Sequence, residues 1–123
     1  MNDSSPSVTY GGSWVDYNNV PGRINGDEHH TKNTGSYAQL TFRGTQIRWI
    51  ATKANNRGKA DVHIDGVYKT TINEYSPTTL YQQVAYLKTG LSSGSHTIRI
   101  VCKGTKSASS TGVYIDVDAF KYQ

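Results

Sequence analysis

Residues 58–73 read GKADVHIDGVYKTTIN. Ala60, Val62 and Ile64 alternate with Asp61, His63 and Asp65, and a period of two places the apolar set on one face of a strand and the polar set on the other. Asp65-Gly66 then offers two residues that accept a positive φ, which a tight hairpin turn requires. The stretch therefore reads as two antiparallel strands, and the flanking sequence repeats its grammar of short alternating run, break and next run.

Working outward, Ala38, Leu40 and Phe42 are in phase within 36–43. Gly44-Thr45 turns the chain into 46–52, where Ile47, Trp49 and Ala51 share a face and Trp49 is expected in the core. Further strands are expected at Val8 to Tyr10, 28–31, 82–89, 96–103 and 113–122. The last changes phase between Val117 and Phe120, the mark of a β-bulge around Asp118-Ala119. No segment holds a 3.6-residue period over a helix's length, so the fold class is all-β, an antiparallel β-sandwich of eight or nine strands.

At 123 residues the chain is sized for one domain, taken as 8–123 behind a linker remnant at 1–7 (MNDSSPS). That opening suggests a module from a longer chain. A hydrophobic content of 35%, 12 glycines and 9 tyrosines suit a turn-rich sandwich. The net charge of +4 comes without a run of like charges, an arginine-rich segment or an RNP-like motif, which argues against nucleic acid as partner. No stretch approaches a membrane span or a signal peptide, and a monomer is expected. Cys102, the sole cysteine, is in phase with Ile98 and Ile100 and reads as a buried, inert thiol.

In an antiparallel sandwich the connections alternate between two ends. Counting along the strands puts the breaks 44–45, 65–66 and 90–95 at one end, all minimal turns. It sends 32–35, 53–59, 74–80 and 104–112 to the other, where long, polar, dissimilar loops are the usual carriers of function. Lys32, Lys53, Arg57, Lys59, Lys103 and Lys106 fall in or beside them, with Asn33, Asn55 and Asn56 as amides, Tyr75 and Tyr81 as rings, and mainly Glu74 in opposition. Such an end suits a hydroxylated or weakly acidic ligand.

Catalytic chemistry is poorly represented. A glycosidase needs two facing carboxyls, whereas the acids here are scattered along strands, and no Gly-x-Ser-x-Gly elbow marks a nucleophile. A Ser-His-Asp set, being spatial, is left open. His29 and His30 are strand neighbours that point to opposite faces, and His96 is expected to be hydrogen-bonded locally. Calcium is the better metal candidate, with Asp118 at the bulge and Asp16 as oxygen donors. Trp14, in an irregular stretch running to Val20-Pro21-Gly22, is either a lid over the sandwich edge or a sugar-stacking platform.

The strings GTQIRWIATKANNRGKADVHIDG (44–66), GLSSGSHTIRIVCKG (90–104) and VYIDVDAFKY (113–122) resemble the galactose-binding-like jelly rolls appended to secreted bacterial glycoside hydrolases and polysaccharide lyases. The resemblance covers most of the chain after residue 36. It implies a non-catalytic carbohydrate-binding module, extracellular, holding an attached catalytic domain on its polysaccharide. It also implies a sugar site in the loops at one end and a structural calcium near the edge. Some such modules recognise uronic acids with Asn, Lys or Arg beside a ring. The expected ligand set is accordingly Tyr75 or Tyr81 for stacking, Asn55, Asn56, Arg57 and Lys106 for hydrogen bonds, Arg57 pairing with a carboxylate, and Trp14 as a further platform. The alternative is a spacer domain packed against a neighbouring catalytic domain.

Overall fold

The computed structural model describes residues 7–17 and 28–123. The linker at 1–6 and the Val20-Pro21-Gly22 break lie outside the described residues. Among them run eleven strands and no helix: β1 (Val8–Gly11), β2 (Val15–Tyr17), β3 (Glu28–Thr31), β4 (Tyr37–Arg43), β5 (Ile47–Lys53), β6 (Lys59–Ile64), β7 (Val67–Asn73), β8 (Leu80–Lys88), β9 (Ser95–Cys102), β10 (Ile115–Val117) and β11 (Ala119–Tyr122). The all-β antiparallel sandwich is as the alternation requires. The count exceeds eight or nine because the irregular stretch contributes β2 and because the bulge at Asp118 divides the last run into β10 and β11.

One layer is a five-stranded sheet in the order β1-β4-β9-β6-β7. The other is formed by β10-β3-β2 and β11-β5-β8, which meet where β10 passes into β11. Asp65-Gly66 makes the predicted turn, with φ of 51° and 80°. In β9 the residues Ile98, Ile100 and Cys102 pair with Leu40 and Ala38 of β4 and with Ile64, Val62 and Ala60 of β6. All of these are buried, so one parity of three neighbouring strands builds the core wall. Phe42, Ile47, Trp49 and Phe120 complete the core between the layers. Trp49 is fully buried and donates its indole N–H to the Asp116 carbonyl at 3.2 Å, the partner a buried indole needs.

The two ends follow the parity argument. At the turn end, Gly44 N–H donates to Gly94 O, Leu91 N–H to Thr45 O and Asp65 N–H to Thr97 O. At the loop end, Gly58 N–H donates to Tyr114 O, Glu74 N–H to Gly58 O, Lys59 N–H to Thr105 O and Ser76 N–H to Ala54 O. Parallel bridges Ala54 to Tyr75 and Arg57 to Tyr114 join the same loops. Gly58 is glycine because a Cβ there would stand 2.7 Å from Thr105 O and 2.7 Å from Val113 Cα.

Candidate functional site

The loop end is built on a buried charge cluster. Arg57, 6% exposed, donates from Nε to Asp116 Oδ2 at 2.7 Å and to Thr52 O at 3.2 Å, from Nη1 to Asn56 Oδ1 at 2.6 Å, and from Nη2 to Glu28 Oε2 at 3.4 Å. Asp116 Oδ1 accepts the Thr52 N–H at 2.8 Å, and its own N–H donates to Glu74 Oε2 at 3.1 Å. Glu28, Glu74 and Asp116 are all fully buried. Three carboxyls thus surround one guanidinium, and burial disfavours the charge of Glu74 and Asp116. Burial first, then the neighbouring Asp116, pushes Glu74 well above the usual carboxylate range, and Arg57 offsets this in part. Burial also raises Asp116, to about 7, against the pull of Arg57. Glu74 Oε1 has no hydrogen-bond partner, consistent with a carboxyl held neutral.

This corrects two readings of the sequence. Arg57 does not project from its loop toward a ligand carboxylate: its guanidinium is spent on Asp116, Glu28, Thr52 and Asn56. The acids that read as scattered along the strands are not all apart: Glu74, Asp116 and Asp118 are fully buried, and Asp116 bonds both Arg57 and Glu74. The cluster escaped sequence reading because Ile115 and Val117 occupy one parity of β10 while Asp116 occupies the other, which reads as a half-exposed strand.

The remaining predicted residues are distributed around this cluster. Asn55 sits exposed at the 54–58 turn, its carbonyl accepting from Ser110 Oγ at 3.1 Å and from the Thr111 N–H at 2.9 Å. Asn56 is next to it, and its carbonyl accepts the Tyr114 N–H. Ser110 Oγ also bonds Arg57 O at 2.7 Å, so the loops are held together from several sides. Tyr75 is half-buried beside Ala54, and Lys106 is exposed in the 104–112 loop. Tyr81 lies apart on the edge strand β8, 43% exposed. Trp14 is half-buried, edge-on to Tyr10 with centroids 5.1 Å apart, and donates its indole N–H to Gly11 O at 3.0 Å. It packs against the edge of the core. Asp16 lies beside His29, which stacks on Tyr10. β3 separates it from β10, which ends one residue before the buried Asp118.

One group of residues had not been singled out together. Ser13, Val15, His30, Thr31, Lys32, Asn33 and Tyr114 line a notch of about 110 Å³. Lys32 Nζ stands 5.9 Å from the Tyr114 ring centroid, and His30 meets that ring edge-on at 5.3 Å. Asn56 adjoins it through Gly112, where a Cβ would touch both Asn56 O and Tyr114 Cδ2. Lys32 and Asn33 were placed at this end by parity, whereas Tyr114 read as the start of a strand.

At the opposite end a Ser-His-Asp set does exist. His96 Nδ1 lies 2.6 Å from Asp65 Oδ2, and Ser92 Oγ lies 3.5 Å from Nε2. Nε2, however, is 2.6 Å from the Ser92 carbonyl, an acceptor that requires the ring nitrogen to donate. Both nitrogens therefore carry protons and no lone pair faces Ser92 Oγ, so the ring is no general base. The Asp65 hydrogen bond raises the His96 pKa, and the same bond lowers that of Asp65. The set is an ion-paired staple between the 65–66 turn and β9.

The sequence profile of the carbohydrate esterase 2 N-terminal family matches residues 20–118. The chain belongs to that family. A type blood N-acetyl-alpha-D-galactosamine deacetylase of Flavonifractor plautii is 34% identical over 122 residues, taking in 99% of this chain and 14% of that enzyme. This esterase-2-type domain thus spans about one-seventh of the curated relative it matches. Among solved structures, a Paenibacillus xanthan lyase superposes with a TM-score of 0.69 at 19% identity, over 92% of this chain and 12% of that one. A family 35 carbohydrate binding module from Clostridium thermocellum superposes with a TM-score of 0.60 at 16% identity, over 98% of this chain and 95% of that one. At these identities the superpositions establish the fold, a jelly roll that recurs within carbohydrate-active enzymes.

Proposed function

We propose that the chain is a non-catalytic glycan-binding module that keeps an attached, secreted enzyme at its polysaccharide. The observation that carries this is the loop end. There Asn55, Asn56, Lys32, Asn33 and the Tyr114 ring adjoin one another on a backbone that the Arg57 cluster and Ser110 hold rigid. A ring face with donors around it suits a pyranose, whose apolar CH face stacks while its hydroxyls bond. A preformed site also loses less ordering entropy on binding. Tyr75 and Lys106 extend the rim, and Asn56 keeps its amide N–H₂ for a ligand while Oδ1 serves Arg57. A site of this size predicts affinities of ~μM to mM.

Affinity electrophoresis of the chain through gels containing neutral or acidic polysaccharides, with and without a chelator, tests the reading. Retardation that Tyr114→Ala and Asn55→Ala abolish is the expected result. Retardation that survives both variants would remove the loop end as the site, and free migration in every gel would remove glycan binding. A second reading has its own support in Leu80, Val84 and Leu87, exposed along the edge strand β8. That apolar strip suits packing against the adjoining catalytic domain, and it is compatible with a glycan held at the loops.

A further inference from the structure

The outer face of the five-stranded sheet carries a row of residues paired across all of its strands: Thr9, Gln39, Arg99, His63 and Tyr68. Their neighbours along each inner strand, such as Leu40, Ile98, Ile100, Val62 and Ile64, point into the core, so this row faces away from it. Gln39, His63 and Arg99, with Gly66, Thr97 and Val101, line a depression of about 350 Å³.

Arg99 is held at its centre. Its guanidinium lies 4.0 Å from the Tyr37 ring centroid, and Nε donates to Gln39 Oε1 at 2.8 Å. Among the described residues its two terminal nitrogens have neither a hydrogen bond nor an acidic partner. Asp61 and Asp65, two residues to either side of His63, are occupied instead: Asp61 by Thr71 Oγ1 at 2.6 Å and by Lys103 Nζ at 3.5 Å, and Asp65 by His96 Nδ1 at 2.6 Å and the Thr97 N–H at 2.8 Å. Beside Arg99, His63 Nδ1 is buried without a hydrogen-bond partner, which costs free energy unless something fills that role. The depression therefore presents a fixed, unpaired fork of N–H donors and the Gln39 amide, with the exposed ring of Tyr68 at one side.

We infer that this depression is a second binding site, for a sugar ring carrying an oxyanion, either a carboxylate or a sulfate ester. The choice of a sugar rests on the glycan reading above, while the anion follows from Arg99 alone. A guanidinium fixed by stacking and by Nε presents its two remaining nitrogens to two oxygens of one anionic group. The Gln39 amide then meets a ring hydroxyl. The volume is that of a small-ligand pocket and admits one or two sugar residues.

The test is a ¹H–¹⁵N titration of the chain with galacturonate, with galactose 6-sulfate and with galactose. One or both anions should move the amides of Gln39, Thr97, Arg99 and Val101, which separates the two oxyanion sources, and galactose should not. Arg99→Gln should weaken that binding by about tenfold or more in a protein whose other resonances are unchanged, and Arg99→Lys should weaken it less, keeping charge without the fork. Asn55→Ala and Tyr114→Ala should leave it intact. Amides that stay still with both anions, that move equally with galactose, or that respond unchanged in Arg99→Gln would overturn the site. The loop end stands or falls separately, on the retardation of Tyr114→Ala and Asn55→Ala.

Discussion

Replacing Arg57 by Ala separates a scaffold role from a ligand role most sharply. The side chain is 8% exposed and bonds Asp116 at 2.7 Å and Glu28 at 3.4 Å. Its loss strands three fully buried carboxyls with no cation among them. Breaking a buried pair by removing one partner costs about 3–5 kcal/mol. At this chain length each kcal/mol moves the midpoint by about 3–6 °C, so Tm should fall by about 10–30 °C at neutral pH. The penalty must also depend on pH. As pH falls, Glu74 and Asp116 take up protons in the folded state whether or not Arg57 is present, and the loss shrinks toward that of a few hydrogen bonds, about 1–3 kcal/mol. Thermal melts of wild type and Arg57→Ala at about pH 4 and pH 7.5 read both effects, the two values bracketing the raised carboxyl range. A shift of under about 0.5 kcal/mol, the usual cost of an exposed substitution, would refute the buried-cluster account and return Arg57 to the surface. A large shift of equal size at both pH values would refute the charge argument while leaving the packing one.

Glu74→Gln tests the same cluster from the acid side. A carboxyl whose folded pKa lies above its unfolded value contributes stability that is full below the unfolded pKa and lost as pH rises through the folded one. Melts of the wild type should therefore decline above neutral pH more steeply than those of Glu74→Gln, which keeps an acceptor for the Asp116 N–H; parallel curves would contradict a protonated Glu74. Asp65→Asn tolerates the positive φ of its turn but removes the charge facing His96. Asp65 stabilises above its unfolded pKa of 3.8 and His96 below its unfolded 6.5, so the staple acts in the window between them. In Asp65→Asn the His96 pKa, followed by NMR, should fall back toward its ordinary value, and an unchanged pKa would dismiss the pair. Gly58→Ala forces a Cβ against backbone on two sides and should destabilise by about 1–3 kcal/mol. Gly66→Ala meets nothing within 4 Å and should cost about 1–2 kcal/mol for its φ of 80° alone. Urea melts read both, and a loss under about 0.5 kcal/mol in Gly58→Ala would contradict the close approach at Gly58.

The sandwich was legible because alternation and turn chemistry agree wherever one face is buried and the other wet. Ala60-Val62-Ile64 and Ile98-Ile100-Cys102 show it, and parity then divided turns from loops without any knowledge of strand order. Legibility failed where both faces of a strand are covered. In β10 Asp116 alternates with Ile115 and Val117 as an exposed residue would, yet it lies inside, because β3 pairs beside it and Arg57 closes over it. The same blindness made Arg57 a candidate ligand group: a cation in a breaker-rich loop reads alike whether it points outward or back. Arg99 was overlooked for the opposite reason. On a regular strand an outward arginine passes for a solvated one, and its distinction lies in the residues that register brings beside it, Tyr37, Gln39 and His63, which sequence order keeps far apart.

The two ends of the sandwich are secured by different electrostatics with the same consequence. At the turn end an exposed staple works while His96 is charged; at the loop end a buried cluster works while Glu74 and Asp116 can hold protons. Raising the pH through and beyond neutrality weakens both, since His96 loses its charge and the buried carboxyls gain theirs. Acidification below the lowered pKa of Asp65 releases the staple alone. These groups favour the folded state on the acidic side of neutral, far from the pI near 9.2, where a vanishing net charge would otherwise favour the compact state. The loop end bears most of this dependence, because the Arg57 cluster holds the backbone that carries Asn55, Asn56 and Tyr114. The Arg99 site stands on β4, β6 and β9, whose inner faces form the core wall, and it contains none of the titrating carboxyls. Binding at the loops should therefore weaken at alkaline pH before binding at the sheet face does.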